Sequence, residues 1–403
     1  MLTKHFKRKY TLFYLGLFIL IAAYLIFSLV RSSKVIAPKV SPKLLIPIAT
    51  ASKITWPTKG ESAVGVVGTS VLDSTNPQVP EPTASTAKMV TCLMVLKAKP
   101  LSLGEQGPLI TITPADVAIY NNYVAEQGSV VKVVVGEQIS EYQMLEAILL
   151  PSANNMADSL ASWAYGSLAN YDWQANKFLV SSGLTSTHIG IDASGFSPTT
   201  TSTASDLVKI GELVMANPVL TQIVAESSAT NIPIVGNISN VNYLLNKSGI
   251  IGIKTGNTTQ AGGVFVSASK EIVGGKTYEI ITANMAAPNL VQAISGSLPL
   301  IQSAQSNIYS DNILPSGSLI GTYVLPWNKQ EITLKTNASL SDNVWGGSSI
   351  YLASYLDSIK YPSKSSYAGY IQDSTSVSSA RVNVSLESGL SKPSYWWKLT
   401  HPL

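Results

Sequence analysis

The sequence predicts an α+β chain that ends in a small all-β module. Three observations carry this. From about residue 58 to 305, capped helical patterns alternate with short β-branched runs, and Gly249 to Thr255 with Gly263 to Ser269 reads as an antiparallel hairpin. After about residue 312 the helical period fades into short alternating runs separated by Gly, Pro, Asn and Ser, the pattern of a β-sandwich. At the other end, Thr11 to Val30 holds no charge.

Taken in order, Lys4, Lys7, Arg8 and Lys9 precede the uncharged stretch. Twenty helical residues span about 30 Å, the hydrocarbon thickness of a bilayer. The basic flank favours a cytoplasmic segment at 1–10, a signal anchor crossing the bilayer at 11–30 and an extracytoplasmic remainder. Arg31 and Lys34 on the far side weaken that asymmetry. A cleaved signal peptide is the rival, but its apolar region is usually shorter, and Phe27-Ser28-Leu29-Val30 makes a poor cleavage site. Residues 31–57, with prolines at 38, 42, 47 and 57, read as an extended linker. A strand near Leu44 to Ile48 is the alternative there.

In the segment 58–305, Ser62 to Leu72 reads as one core strand, Pro80 to Ala84 as a loop and Ser85 to Lys97 as a buried helix. Thr113-Pro114-Ala115-Asp116 and Ser140-Glu141-Tyr142-Gln143 are capping-box starts of two further helices, the second running to Leu150. Asn155 to about Trp163, Trp173 to Val180 (stopped at Gly183) and Thr203 to Met215 complete the helical set. In the β module, 313–390, the strands are Ser318 to Val324, Glu331 to Lys335, Ser349 to Leu352 and Arg381 to Leu386. The tail, 391–403, carries Tyr395-Trp396-Trp397-Lys398, which suits either a membrane interface or packing on its own domain.

Composition narrows the chemistry. The 403 residues leave room for two domains, and the net charge of +4 comes from scattered lysines, so no nucleic-acid partner is expected. One cysteine, Cys92, and three histidines, His5, His188 and His401, offer no pair with metal-ligand spacing. The expectation is chemistry without metal or organic cofactor, with Cys92 packed as a small hydrophobe.

Three motifs carry the chemistry: Ser85-Thr86-Ala87-Lys88, Ser152-Ala153-Asn154 and Lys254-Thr255-Gly256. They are spaced by 67 residues from Ser85 to Ser152 and 102 from Ser152 to Lys254. Serine needs a base to take its proton. On a helix, Ser85 and Lys88 lie one turn apart on one face, and an apolar setting lowers the lysine's proton affinity. Ser152 can relay a proton and Asn154 can bond a substrate amide from a loop between two helices. Lys254 and Thr255 supply a cation and a hydroxyl for a substrate carboxylate, and Gly256 permits close backbone approach. Each motif alone also fits a plain cap or a strand-to-turn transition. Jointly they outline a serine acyl-transfer site with a lysine base.

These motifs, with Pro100 to Glu105, Gly136-Glu137, Ser202 to Leu207 and Ala261-Gly262-Gly263, resemble those of the low-molecular-mass penicillin-binding proteins, the serine D-alanyl-D-alanine carboxypeptidases. The resemblance spans 58–305. It implies a β-lactamase/DD-peptidase-like domain, an antiparallel sheet with helices plus an all-helical subdomain, and a Ser85 acyl-enzyme formed on peptidoglycan stem peptides with Lys88 as base. It also implies an oxyanion held by the N–H groups of Ser85 and Asn257, and β-lactams as covalent inhibitors.

Two departures stand out: Asn257 follows the third motif, where relatives often carry histidine or an aromatic residue, and no arginine lies between 32 and 380 to clamp a carboxylate. A class A β-lactamase would need a Glu-x-x-x-Asn; Glu212 and Glu226, the only glutamates between Ser152 and Lys254, do not provide it. A Ser-His-Asp hydrolase would have to use His188. The alternatives left open are a DD-endopeptidase with the same site and a non-catalytic cell-wall scaffold.

Overall fold

The computed structural model describes residues 2–31, 34–45, 47–361, 363 and 365–401. It divides into two compact units, one of Ala51–Tyr309 with Trp345–Ser348, the other of Met1–Thr50, Ser310–Val344 and Ser349–Leu403. The basic side chains of Lys4, Lys7 and Arg8 lie outside what is described.

The chain opens with α1 (Leu2–Val30), whose apolar part, Lys9–Val30, is the one helix among the described residues long and apolar enough to cross a membrane. Two short strands follow, β1 (Lys39–Val40) and β2 (Ile48–Ala49), with a 3-10 turn at Pro42–Leu45 between them.

The unit that contains the three motifs is built on a five-stranded antiparallel sheet. Its first two strands are β3 (Glu61–Val66) and β4 (Ser70–Ser74). The sequence suggested a single strand over 62–72; Gly68, at φ +86°, instead turns the chain into a hairpin. After β5 (Glu81–Pro82), a 3-10 turn at Ala84–Ala87 leads into α2 (Lys88–Ala98). Then come β6 (Leu109–Thr111), α3 (Pro114–Ala125), β7 (Gln138–Ser140), α4 (Glu141–Leu149), α5 (Asn154–Tyr165) and α6 (Leu168–Ser181). Both expected capping boxes form: Thr113 with Asp116 on α3, and Ser140 with Gln143 on α4. α6 starts five residues before the expected Trp173, because Ser167 caps Asn170.

β8 (Thr201–Ser202) pairs with β5, and α7 (Ala204–Met215) and α8 (Pro218–Val224) follow. β9 (Ser228–Ile232) and β10 (Gly236–Ser239) make a small hairpin, and β11 (Ile250–Thr258), β12 (Gly262–Val273) and β13 (Lys276–Ala287) return to the sheet before α9 (Leu290–Ser306). The sheet order is β11-β12-β13-β3-β4, which leaves β11 as an edge.

Both sheet faces are buried. On β12, Val264, Val266 and Ala268 join the large core with α2 and α7, while Phe265 packs with Ala293, Ile294 and Ile301 of α9. That alternation is the period of a strand. Gly211 lets α7 approach closely: a Cβ there would lie 2.8 Å from Ile281 Cγ2. Helices α2 to α6 form the all-helical part, with α5 in contact with α2, α3, α4 and α6.

In the second unit, β14 (Ile308–Leu314), β15 (Leu319–Val324), β16 (Glu331–Thr336), β17 (Leu340–Trp345), β18 (Ser349–Leu356), β19 (Tyr367–Ser374) and β20 (Arg381–Leu386) precede α10 (Tyr395–Thr400). β14 pairs with β17, and the larger sheet has the order β1-β15-β16-β20-β19-β18-β2. The segment 31–57 is therefore not simply a linker. It supplies both edge strands of that sheet: Lys39 and Val40 pair with Thr322 and Gly321, and Ile48 and Ala49 with Ile350 and Ser349. Ile36 and Leu44 are buried there. Of the stretch from Leu44 to Ile48, Leu44 and Leu45 close the 3-10 turn, Ile48 opens β2, and residue 46 lies outside the described residues.

Candidate active site

Sequence reasoning placed Ser85 in the first turn of an α-helix. It sits instead in the 3-10 turn, and Lys88 is the first residue of α2. The difference has a chemical consequence. In a 3-10 turn the side chains at i and i+3 eclipse, closer together than on an α-helix. Lys88 Nζ lies 2.7 Å from Ser85 Oγ. Ala84, at φ +46°, redirects the chain into this turn, and Gly195 packs on it so tightly that a Cβ would lie 2.1 Å from Ala84 O.

The second motif meets the first at the same atom. Lys88 Nζ is 2.7 Å from Asn154 Oδ1 and 3.0 Å from the carbonyl of Ser194. A protonated lysine donates to all three neighbours. A neutral one donates to the two carbonyl oxygens, which accept only, and keeps its lone pair for the serine hydroxyl. Lys88 is fully buried, and that burial pushes its pKa down to about 7; the carboxylates of Asp192 and Asp158 pull in the other direction.

Asn154, expected on a substrate amide, is 1% exposed, and its side-chain oxygen accepts from the lysine. Ser152 joins α4 to α5 at φ +69°, a conformation that costs a serine energy and clusters at functional sites. Its hydroxyl is buried with no hydrogen-bond partner. Most buried hydroxyls are paired, and this one is free to bond an incoming group.

The third motif lies on the edge strand. Lys254 is buried, its Nζ donating to Thr255 O at 3.0 Å. Burial and then the proximity of Lys88 hold its pKa well below the ordinary lysine value. Thr255 is also buried, while Asn257 is exposed. A Cβ on Gly256 would lie 3.0 Å from the Ser85 nitrogen and from Thr83 O, so β11 and the 3-10 turn touch backbone to backbone. All eight residues singled out from the sequence, Ser85, Lys88, Ser152, Asn154, Lys254, Thr255, Gly256 and Asn257, sit on these three abutting elements.

Sequence reasoning missed the floor of the site. Asp192 accepts from the backbone N–H of Ser194, Phe196 and Ser197 and from Ser194 Oγ. Tyr123 Oη donates to Asp158 Oδ2 at 2.7 Å, and Asp158 Oδ1 accepts from Ala193 N at 2.9 Å. Asp192-Ala193-Ser194-Gly195 carries a turn signature, and Asp158 lies four residues after Asn154 on α5, so both signals were present. Cys92 is buried, which pushes its thiol far above the reactive range, and His188 is exposed. No group of three or more His, Cys, Asp or Glu among the described residues could hold a metal ion.

A family model described as D-alanyl-D-alanine carboxypeptidase matches residues 58–289. The D-alanyl-D-alanine carboxypeptidase DacB2 of Mycobacterium tuberculosis is 33% identical over 237 residues, 57% of this chain and 75% of that protein. DacA of Escherichia coli, of the same name, is 29% identical over 224 residues, 52% and 54% of the two chains. Among solved structures, a Streptomyces DD-transpeptidase matches with a TM-score of 0.55 at 24% identity, covering 62% of this chain and 98% of its own. Penicillin binding protein 5 from Haemophilus influenzae matches at 0.59 and 20%, covering 84% and 99%. At these identities the structural likeness is one of fold.

Proposed function

The chain belongs to the D-alanyl-D-alanine carboxypeptidase family of serine hydrolases, and from that premise we propose that it removes the terminal D-alanine of peptidoglycan stem peptides through an acyl-enzyme on Ser85. Ser85 Oγ attacks the carbonyl carbon between the two D-alanines as its proton passes to neutral Lys88. The N–H groups of Ser85 and Asn257 hold the oxyanion. As the intermediate collapses, the proton goes by way of Ser152 Oγ to the leaving amine, and the terminal D-alanine departs. Water then attacks the ester, giving its proton to Lys88, and Ser85 Oγ leaves as the alcohol. Asn154 positions the lysine rather than the substrate.

Lys254 and Thr255 are the partners of the terminal carboxylate. Burial and then Lys88 disfavour the charged form of Lys254, and an incoming carboxylate beside it would favour its ammonium, a cation where the sequence offers no arginine. A β-lactam presents a strained carbonyl and a carboxylate in the same relation and acylates the same hydroxyl. The single observation that carries this reading is the trio of partners around Lys88 Nζ, which suits a lysine working without its proton.

The test is D-alanine release from a synthetic pentapeptide ending in D-alanyl-D-alanine, using the full chain in detergent. One D-alanine per peptide is expected, and none from Ser85→Ala. Equal release by that variant sinks the assignment. A preference for cross-linked muropeptides over the pentapeptide would make the enzyme an endopeptidase.

The same proposal includes a membrane anchor at 11–30. α1 exposes Leu12, Phe18 and Leu20, each more than half accessible, a load of apolar surface suited to lipid rather than water. Where α1 ends, α10 packs on it: Tyr24 Oη donates to Leu399 O, and Lys398 Nζ donates to Leu29 O, a carbonyl in the last turn that α1 leaves unpaired. Trp396 and Tyr395 stay exposed beside it, in the manner of an interfacial aromatic belt. The basic flank supports an outward-facing catalytic unit. Protease added outside spheroplasts should cleave the protein; full protection would reverse that orientation.

A further inference from the structure

Beneath Lys88, Tyr123 of α3, Asp158 of α5, and Asp192 and Ser194 of the loop before β8 form a buried polar floor, each less than a tenth exposed. The two carboxylates differ in surroundings. Asp192 accepts three backbone N–H bonds and one hydroxyl bond. Asp158 accepts only two, from Ala193 N and Tyr123 Oη.

These contacts form a short chain. Asp158 Oδ1 holds the amide N–H of Ala193, and the carbonyl of the following residue, Ser194, is the one Lys88 Nζ meets at 3.0 Å. Tyr123 Oη, which donates to Asp158, also lies 3.2 Å from Ser194 Oγ. Asn154, one helical turn before Asp158 on α5, meets the same lysine.

We propose that Asp158, supported by Tyr123, is the positioning residue for the lysine base: it fixes the Ser194 carbonyl against Lys88 Nζ, and its own proton sets how readily Lys88 gives up its charge. The inference rests on Lys88 acting as the base. Burial pushes the Asp158 pKa up to about 6 against the pull of the Tyr123 hydroxyl, within reach of the range where Lys88 titrates. An ionised Asp158 favours the lysine ammonium, and a neutral one releases it. The other titratable groups around the two are Asp192, the Cys92 thiol of α2, Lys254 of β11 and the Tyr171 hydroxyl of α6.

The experiment is the pH profile of acylation by a fluorescent penicillin, measured on the full chain with Asp158→Asn, Asp158→Ala and Tyr123→Phe. Asparagine can keep the bond from Ala193 and lacks the charge, so its acidic limb should move to lower pH by about half a unit or more. Tyr123→Phe removes a bond that favours the anion and should move the limb the same way, by less. Alanine should lower the plateau, and asparagine should restore most of it.

An Asp158→Asn limb that coincides with the parent's overturns the inference. So does a plateau as low for asparagine as for alanine. Should Asp158→Asn fail to fold, Tyr123→Phe carries the test, and an unshifted limb there overturns it equally. A parent profile with no limb near neutrality would bring down the base reading itself, and this inference with it.

Discussion

A methyl group placed on Gly256 would come within 3.0 Å of the backbone nitrogen of Ser85. The edge strand and the nucleophile's turn are thus set against each other by the absence of one side chain. Gly256→Ala should prise β11 from the turn and spoil the alignment of the two N–H groups assigned to the oxyanion. A displacement of an ångström can cost about 100-fold in rate. Acylation should slow by that order while thermal stability changes little, as gel labelling beside differential scanning fluorimetry would record. A normal rate would separate β11 from the oxyanion site.

Lys88→Arg keeps a cation but removes the base, since a guanidinium does not deprotonate in a protein. Acylation should fall by about 100- to 10,000-fold, the range general-base catalysis supplies. Stopped-flow fluorescence with a labelled penicillin measures this, and near-parental acylation would remove Lys88 from the base role.

The parent's acylation rate should rise with pH through about 7, where burial has lowered the Lys88 pKa, and level off above. Stability should follow the same group. The ordinary lysine value is 10.5, so between about 7 and 10.5 the unfolded chain holds a proton that the folded one has released. Stability from this group therefore rises with pH across that window. Urea midpoints for the parent and Lys88→Met should diverge in the parent's favour from pH 7 to pH 10. A constant gap would mean that Lys88 titrates normally in the fold.

Tyr142 and Glu146 of α4 meet Glu226, which follows α8: Tyr142 Oη donates to Glu226 Oε1 at 3.1 Å. Burial, and then Glu226, raise the Glu146 pKa above the ordinary carboxyl value of 4.5. Here the sign reverses: above 4.5 the folded state binds the proton more tightly than the unfolded one, so stability falls as pH rises. Glu146→Gln should flatten that fall, with a Tm about 2–4 °C above the parent's at pH 8 and little gain at pH 5. Parallel curves for the two proteins would contradict it.

How legible the fold was from sequence varied with the kind of signal. The starts of α3 and α4 were readable because a capping box is a local bond between residues three apart, and both boxes form. The β11–β12 hairpin was readable from two apolar runs around a polar turn. The 31–57 segment was misread because β1 and β2 are two residues each and find their partners about 280 and 300 residues away, which no local pattern encodes. β19 escaped notice because Gly369 and the polar residues of Tyr367–Ser374 interrupt its alternation.

At the site, the residue types were legible and the roles less so. The motif spacing found Lys88 and Asn154 separately, but only the fold shows one accepting from the other. The 3-10 geometry that eclipses Ser85 and Lys88 leaves no composition signal at all.

The edge strands give a prediction about truncation. A version beginning at residue 58, the boundary the sequence suggests, loses β1, β2 and the buried Ile36 and Leu44, and leaves two raw sheet edges. A version beginning at residue 34 keeps them. The shorter protein should aggregate or show a lower Tm for its β unit on scanning calorimetry. Equal behaviour would mean that the two short strands contribute little.

The central claim, that Ser85 is the acylated nucleophile, is tested most directly by intact mass and peptide mapping of the full chain after incubation with a fluorescent penicillin. The account predicts a single adduct, on the peptide carrying Ser85, absent from Ser85→Ala. An adduct on any other residue, or a folded protein that forms none, would contradict it.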